Sequence, residues 1–179
     1  FEEVVYFLKE RGLSVAIVSN GSGNHRILKC ADIFTKGDWV RLSLDSGSEE
    51  VFQAMHKPKK KLTLDSICEF VPQIKEKNPE LSIGFSFIAV WKGSMINDSK
   101  IIENIHEFEM AAERAKRFGF DYISIKPFLT HSPINHAEVL GNKEVSNFDV
   151  ALKRIRDSIE SGRQYETDGK HEYIGEVEF

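Results

Sequence analysis

Arg41, Ser43 and Asp45 stand two residues apart, with Val40, Leu42 and Leu44 between or beside them. A spacing of two is the period of a β-strand, so the three polar side chains share one face and the apolar ones the other. A strand between two helical segments is normally covered on both faces and reads apolar on both. Here one face carries a guanidinium, a hydroxyl and a carboxylate, and it runs into the turn Ser46-Gly47. Ligands of parallel α/β proteins sit at the carboxyl ends of the strands. The three side chains are therefore expected to point into a site. A hydroxyl and a carboxylate at a strand end can pair with sugar hydroxyls in a partly dry cleft, and Arg41 is a candidate substrate contact. The competing reading is that Asp45 caps the helix starting near Ser48, or pairs with Arg41.

Other residues could carry chemistry with less local support. Asn20 precedes Gly21 at the end of an apolar run, where it can meet a ligand or hold the turn. Gly84 and Ser86 are small residues on one face of a strand, suited to a close-lying ligand or to tight packing. Lys126 is last on its strand before Pro127, where it can bind a substrate carboxylate or phosphate, or face water. His131 and His136, with Glu138, lie in a polar segment at a spacing that is not a standard metal pattern. The lysine-rich stretch Lys57 to Lys61 reads as a solvated loop.

The elements that must position these groups alternate regularly. Strands are expected over 13–19, 38–45, 81–90 and 120–126. Helices are expected over 1–11, 24–34, 48–56, 63–77, 99–118 and 146–161, with 91–98 as a loop. Gly12, Gly119 and Gly162 sit where helices should stop, and Asn78-Pro79 ends another. Repeated strand–helix units imply parallel strands with right-handed crossovers. The fold class is thus α/β, as a partial TIM-like (β/α) barrel or an open parallel sheet. Residues 1–145 read as the barrel part, and 146–179 as a C-terminal helix with one further strand. The inward positions, which include Tyr122 and Ser124, are small and polar, as in a roomy ligand-bearing barrel.

Composition narrows the class. The 179 residues suffice for one domain with a sizeable core. A net charge of −4 gives no electrostatic case for nucleic acid or an anionic membrane. No apolar run approaches the roughly 20 residues needed to span a bilayer, and two cysteines, Cys30 and Cys68, are too few for a disulfide scaffold. A cytoplasmic location is the default. The chain begins at Phe1, without methionine, in what reads as the middle of a helix, which suggests a fragment or a processed chain.

Four blocks, in order, resemble the radical S-adenosylmethionine (radical SAM) superfamily. They are Val18-Ser19-Asn20-Gly21; Val40 to Ser48, with Val51, Phe52, Met55, His56, Lys57 and Pro58 after it; Ile83-Gly84-Phe85-Ser86-Phe87; and Gly119 to Phe128. The resemblance implies a TIM-like barrel of radical SAM type. It also implies a 4Fe–4S cluster and S-adenosylmethionine as cofactors, and an enzyme of the oxidoreductase or transferase kind that works through a 5′-deoxyadenosyl radical. Under it, Ser43 and Asp45 meet the cofactor's ribose or its methionine carboxylate, and Asn20 meets its backbone-like end. Gly84 and Ser86 let the adenine approach, and Arg41 and Lys126 face a small-molecule or peptide substrate. The family's Cys-x3-Cys-x2-Cys motif and its Gly-Gly-Glu-Pro segment are absent from these residues. A four-iron cluster needs several thiolates, whereas Cys30 and Cys68 read as buried small apolar residues. The cluster ligands are therefore expected outside this chain, on a missing N-terminal half-barrel.

Two readings compete. Lys126 could form a Schiff base in an aldolase-like barrel, provided that desolvation or a neighbouring cation such as Arg41 keeps its amine neutral. Alternatively the domain is a non-catalytic scaffold or binding module. Its first strand then offers a free edge that the missing half-barrel or self-association would cover.

Overall fold

The computed structural model describes residues 1–58, 62–90, 95–96 and 99–127. The helix expected at 146–161, the tail strand, His131, His136, Glu138 and Lys59 to Lys61 lie outside the described residues.

Four strands form one parallel sheet: β1 (Ala16–Ser19), β2 (Trp39–Ser43), β3 (Ser82–Ala89) and, numbered by its place in the chain, β6 (Tyr122–Pro127). Their order in space, β1-β2-β3-β6, is their order in the chain. A short antiparallel pair, β4 (Met95–Ile96) and β5 (Ser99–Lys100), lies between β3 and β6 in sequence. The helices are α1 (Glu2–Glu10), α2 (Asn24–Lys29), α3 (Glu49–His56), α4 (Leu64–Cys68), α5 (Phe70–Lys77) and α6 (Phe108–Phe118). Among the described residues no helix is long and apolar enough to cross a membrane.

The two faces of the sheet differ. Val40, Leu42, Ile83, Phe85, Phe87, Ile123 and Ile125 project from one face and are buried against apolar side chains of the helices, among them Ile27, Ile67, Val71, Ile74, Phe108 and Ala111. Burying each large apolar side chain contributes about 1.5–3 kcal/mol, so this layer is the main source of stability. The other face is partly open: Val18 on the edge strand β1 is 58% exposed and Ile88 on β3 is 39% exposed. A doubly wound sheet reverses its strand order and carries helices on both faces. A sheet running in chain order, with its helices packed on one face, is compatible with part of a (β/α) barrel.

Buried polar side chains set the strand register at both ends. At the amino ends, the Asp38 carboxylate accepts from the backbone N–H groups of Val15 (2.6 Å) and Thr35 (2.7 Å) and from Lys9 Nζ (2.6 Å). Asp121 accepts from Ile83 N–H (2.7 Å) and pairs with Lys75. At the carboxyl ends, Asn104 is fully buried. Its Nδ2 donates to the carbonyls of Asp45 (2.6 Å) and Ile88 (2.8 Å), and its Oδ1 accepts from Val90 N–H (2.7 Å).

Three helical expectations are corrected. The helix expected at 99–118 starts at Phe108. Residues 99–100 are a strand instead, and Asn104 is held by the end of β3, so only a tight turn at Ile105–Glu107 precedes the helix. The helix expected at 63–77 is two helices, α4 and α5. Pro72 has no N–H for the Cys68 carbonyl four residues back, and its ring crowds that carbonyl. Thr63 caps the amino end, with Ser66 completing the reciprocal pair. The helix expected at 24–34 ends at Lys29, and Asn78 Nδ2 takes up the carbonyls of Ala31 (2.8 Å) and Phe34 (2.9 Å) beyond it.

Asn104→Ala should destabilise the fold by about 2–4 kcal/mol, because it strands two carbonyls and an N–H in a dry interior. Urea denaturation reads this directly. A loss below about 1 kcal/mol would show that water or a backbone shift satisfies these groups.

Candidate functional site

The register places most of the sequence-derived candidates on the open face. Reading across the sheet, Val18, Arg41, Gly84 and Tyr122 form one row, and Ser43, Ser86 and Ser124 the next toward the carboxyl ends. Ile88 and Lys126 lie one further level along, beside the Asp45 turn. Parallel pairing puts each row on one face, so Arg41, Ser43, Gly84, Ser86 and Lys126 all look out from the side opposite the helices.

The three serines make a hydroxyl strip. Ser86 and Ser124 are buried and Ser43 is half-buried, and none of their hydroxyls has a partner among the described residues. Ser124 was expected as an inward barrel position but given no binding role. Its signal was there, since Tyr122, Ser124 and Lys126 alternate just as Arg41, Ser43 and Asp45 do.

Asp45 lies just beyond the strip. It ends β2 in a left-handed conformation (φ 52°), which asparagine and aspartate tolerate better than most residues. Its N–H donates to the Ser86 carbonyl (3.1 Å), and its Oδ1 accepts from Ile88 N–H (2.8 Å). The other carboxylate oxygen faces His56 Nε2 at 3.7 Å, and that nitrogen also lies 2.9 Å from the Leu44 carbonyl. Burial pushes the Asp45 carboxyl above its usual value, while its hydrogen bond from Ile88 and the nearby His56 pull the other way.

Neither alternative role for Asp45 holds. The amino end of α3 is capped by Ser48, whose Oγ accepts from Val51 N–H (3.2 Å). Glu107 completes it, accepting from the N–H groups of Gly47 (2.9 Å) and Ser48 (3.2 Å) and from the Ser48 hydroxyl. No Asp45–Arg41 ion pair forms. The two residues are four apart on one strand, about 13 Å at the usual rise.

The remaining candidates separate. Asn20 Oδ1 accepts from Ser22 N–H (3.1 Å) and Ser22 Oγ (2.8 Å), so its side chain holds the turn. The space above Gly84 is filled by Tyr122: a Cβ at position 84 would overlap its ring and lie 2.5 Å from its hydroxyl. Gly84 thus serves close side-chain packing in this structure. Lys126 is exposed and sits beside Ile88, two rows from Arg41. The crowding that a neutral Schiff-base lysine needs from Arg41 is not present.

Cys30 and Cys68 are fully buried in the helix-side core, not on the open face. Burial pushes the Cys68 thiol up to about 12 and raises Cys30 as well, which opposes thiolate ligation. Among the described residues no three His, Cys, Asp or Glu side chains converge as a metal site.

A cleft of about 480 Å³ opens over the amino-terminal half of the same face, from Lys36 and Trp39 across Arg41 to Tyr122 and Ser124. The expectation from strand alternation concerned the carboxyl ends alone, and nothing local in the sequence marks this second region. It depends on the ring of Tyr122 lying across a neighbouring strand.

A scan against protein-family models finds no match for the chain, and a search of curated proteins likewise finds none.

The Asp45 carboxyl yields a pH prediction. A carboxyl raised above its unfolded value of 3.8 contributes stability that is complete below that value and lost as pH rises through the folded value. Asp45→Asn keeps an oxygen for Ile88 N–H and removes the buried charge. Its stability at neutral pH should stay within about 1 kcal/mol of wild type, and the wild type should gain on it as the pH falls toward 3.8. Asp45→Ala should lose about 1–3 kcal/mol, having neither the acceptor nor tolerance for a positive φ. Thermal melts of the three proteins from pH 3.5 to 7 test this, and parallel pH profiles for wild type and Asp45→Asn would refute it.

Proposed function

We propose that this chain is part of a radical SAM enzyme, with its sheet forming one wall of the cofactor and substrate pocket. The observation that carries the reading is the strip Ser43–Ser86–Ser124, which ends at Asp45 on the carboxyl side of the open face. The strands bearing it follow one another in the order of the four sequence blocks that resemble that superfamily.

The residues fit the nucleoside part of S-adenosylmethionine and do not fit its cluster. Hydroxyls in one row across the sheet, without partners among the described residues and with a buried carboxylate just beyond Ser43, suit the donors and acceptors of a ribose. The buried thiols of Cys30 and Cys68 do not suit iron, so the cluster ligands belong to polypeptide outside these residues. When bound, cofactor and cluster together would supply the radical chemistry. The residues of this chain bind and orient. Ser43 and Ser86 hydrogen-bond the sugar, Asp45 holds the end of the strip in place through Ile88, and the apolar helix layer keeps the wall rigid. Ser124 extends the same contact. Adenine does not lie on Gly84, which Tyr122 covers. Lys126, exposed beside the strip, is placed to meet a small-molecule or peptide substrate.

The coding sequence on the amino side of Phe1 tests the reading. Within about 70 residues, the length of two strand–helix units, it should hold Cys-x3-Cys-x2-Cys after an apolar strand; its absence would overturn the proposal. In the protein that includes this segment, Ser86→Val should weaken S-adenosylhomocysteine binding about fivefold, the worth of roughly one hydrogen bond, as measured by calorimetry. Unchanged affinity would remove the serine strip from the cofactor site.

A further inference from the structure

Lys9, Arg26, Lys75, Lys77, Arg114 and Arg117 each have a carboxylate partner. Arg11, Lys29, Lys36, Lys57 and Lys126 are exposed and have no carboxylate partner among the described residues. Arg41 also lacks one, but it is half-buried, in the middle of the sheet's open face. Its guanidinium carbon lies 5.4 Å from the ring centroid of Trp39, two residues earlier on the same strand. That stacking favours the guanidinium and orients its fork. On the other side, Gly84 has no side chain, and the Tyr122 ring lies across it toward Arg41. Burial keeps the Tyr122 phenol above its usual value despite the charge of Arg41, so at neutral pH it is a hydrogen-bond donor. The cleft over these residues holds about 480 Å³, with Lys36 adding a second positive charge, Glu80 a negative one at its wall, and Asp38 a carboxylate already held by Lys9.

We propose that this amino-terminal cleft binds a small planar oxyanion of the aromatic carboxylate class, its carboxylate on Arg41 and Tyr122 and its ring against Trp39. An unpaired arginine costs most where water is partly excluded, and a bidentate carboxylate is the partner its fork fits best. Aromatic surface on Trp39 and Tyr122 selects a flat ligand over a bare ion. The proposal goes beyond the cofactor reading and does not depend on it: the serine strip and this cleft meet only at Ser124.

Calorimetric titration of the whole chain with benzoate is the test, with benzamide, phenyl phosphate and inorganic phosphate as comparisons. Benzoate should bind in a 1:1 complex, and benzamide, its neutral isostere, at least tenfold more weakly. Phenyl phosphate binding as tightly as benzoate would overturn the carboxylate class, and inorganic phosphate matching benzoate would overturn the role of the ring. Arg41→Gln should weaken benzoate at least tenfold and Tyr122→Phe about threefold, with melting temperatures close to wild type because both positions lie outside the apolar core. Should Arg41→Gln melt early, salt gives the second reading: raising sodium chloride from 20 to 500 mM should weaken benzoate and leave benzamide unchanged. Equal affinity for benzoate and benzamide, or an Arg41→Gln protein that melts normally and binds as wild type does, would overturn the proposal. So would the absence of benzoate binding at 10 mM.

Discussion

The turn at Asp45 is the constraint on which the rest of the open face depends. A parallel strand has to leave its sheet without stranding the neighbour's backbone. β2 does so by entering a left-handed conformation at Asp45 and placing a carboxylate oxygen on Ile88 N–H of β3. Asn104, 59 residues further on, then joins the Asp45 carbonyl to the Ile88 carbonyl and binds Val90. Glu107 and Arg114 secure Gly47 and Ser48, Glu107 through the N–H groups of both and Arg114 through the Gly47 carbonyl (2.9 Å). These bonds lock the offset between β2 and β3. A slip of one residue would turn Ser43 and Arg41 toward the helices and Leu42 toward water. That slip is blocked at the carboxyl ends by Asp45, while at the amino ends Asp38 ties β2 to the residue before β1 and Asp121 ties β6 to β3.

The same sheet divides its labour by face. The helix side holds nearly all the apolar burial, with paired rings such as Phe85–Phe120 and Phe87–Phe108 at 5.3 and 6.0 Å. It therefore stabilises the strands without help from the open face, whose residues are free to be small or polar. Gly84, Ser86 and Ser124 would be poor core residues in a closed, dry barrel. Here they cost little, because the packing energy is gained on the other side.

Much of this was legible in the chain. The alternation in 38–45 and 120–126 and the apolar runs in 13–19 and 81–90 locate all four strands of the parallel sheet, since a period of two survives in the residues themselves. What could not be read are the long-range contacts. Nothing near Asn104 announces that it ties two strand ends, and an expected helix over 99–118 ignores it. His56 lies 11 positions from Asp45, and only the return of α3 brings the two together. Gly84 was open to a close-lying ligand or to tight packing, and Tyr122 on the next strand, which fills the space, decides for packing. Asn20 was open to two roles, and the partner that decides between them, Ser22, is local.

Charge placement along β2 explains why Arg41 has no carboxylate partner among the described residues. Arg41 on β2 and Asp45 two residues past its end carry opposite charges, and a flexible surface pair would close. They are too far apart to do so, and each end of the separation is held. The Asp45 carboxylate is drawn toward Ile88 and His56, whereas the Arg41 guanidinium is drawn back over Trp39 toward the amino end. The carboxylate is thereby consumed in building the turn, and the guanidinium is preserved for something else. Its neighbours on the face, Val18 and Gly84 in register and Tyr122 beyond, offer no negative charge. A half-buried arginine with an aromatic stacking partner and no carboxylate partner among the described residues has already met part of the entropic cost of ordering its fork. An incoming carboxylate needs only to displace water, and this preorganisation makes the amino-terminal cleft a binding surface rather than a gap in the packing.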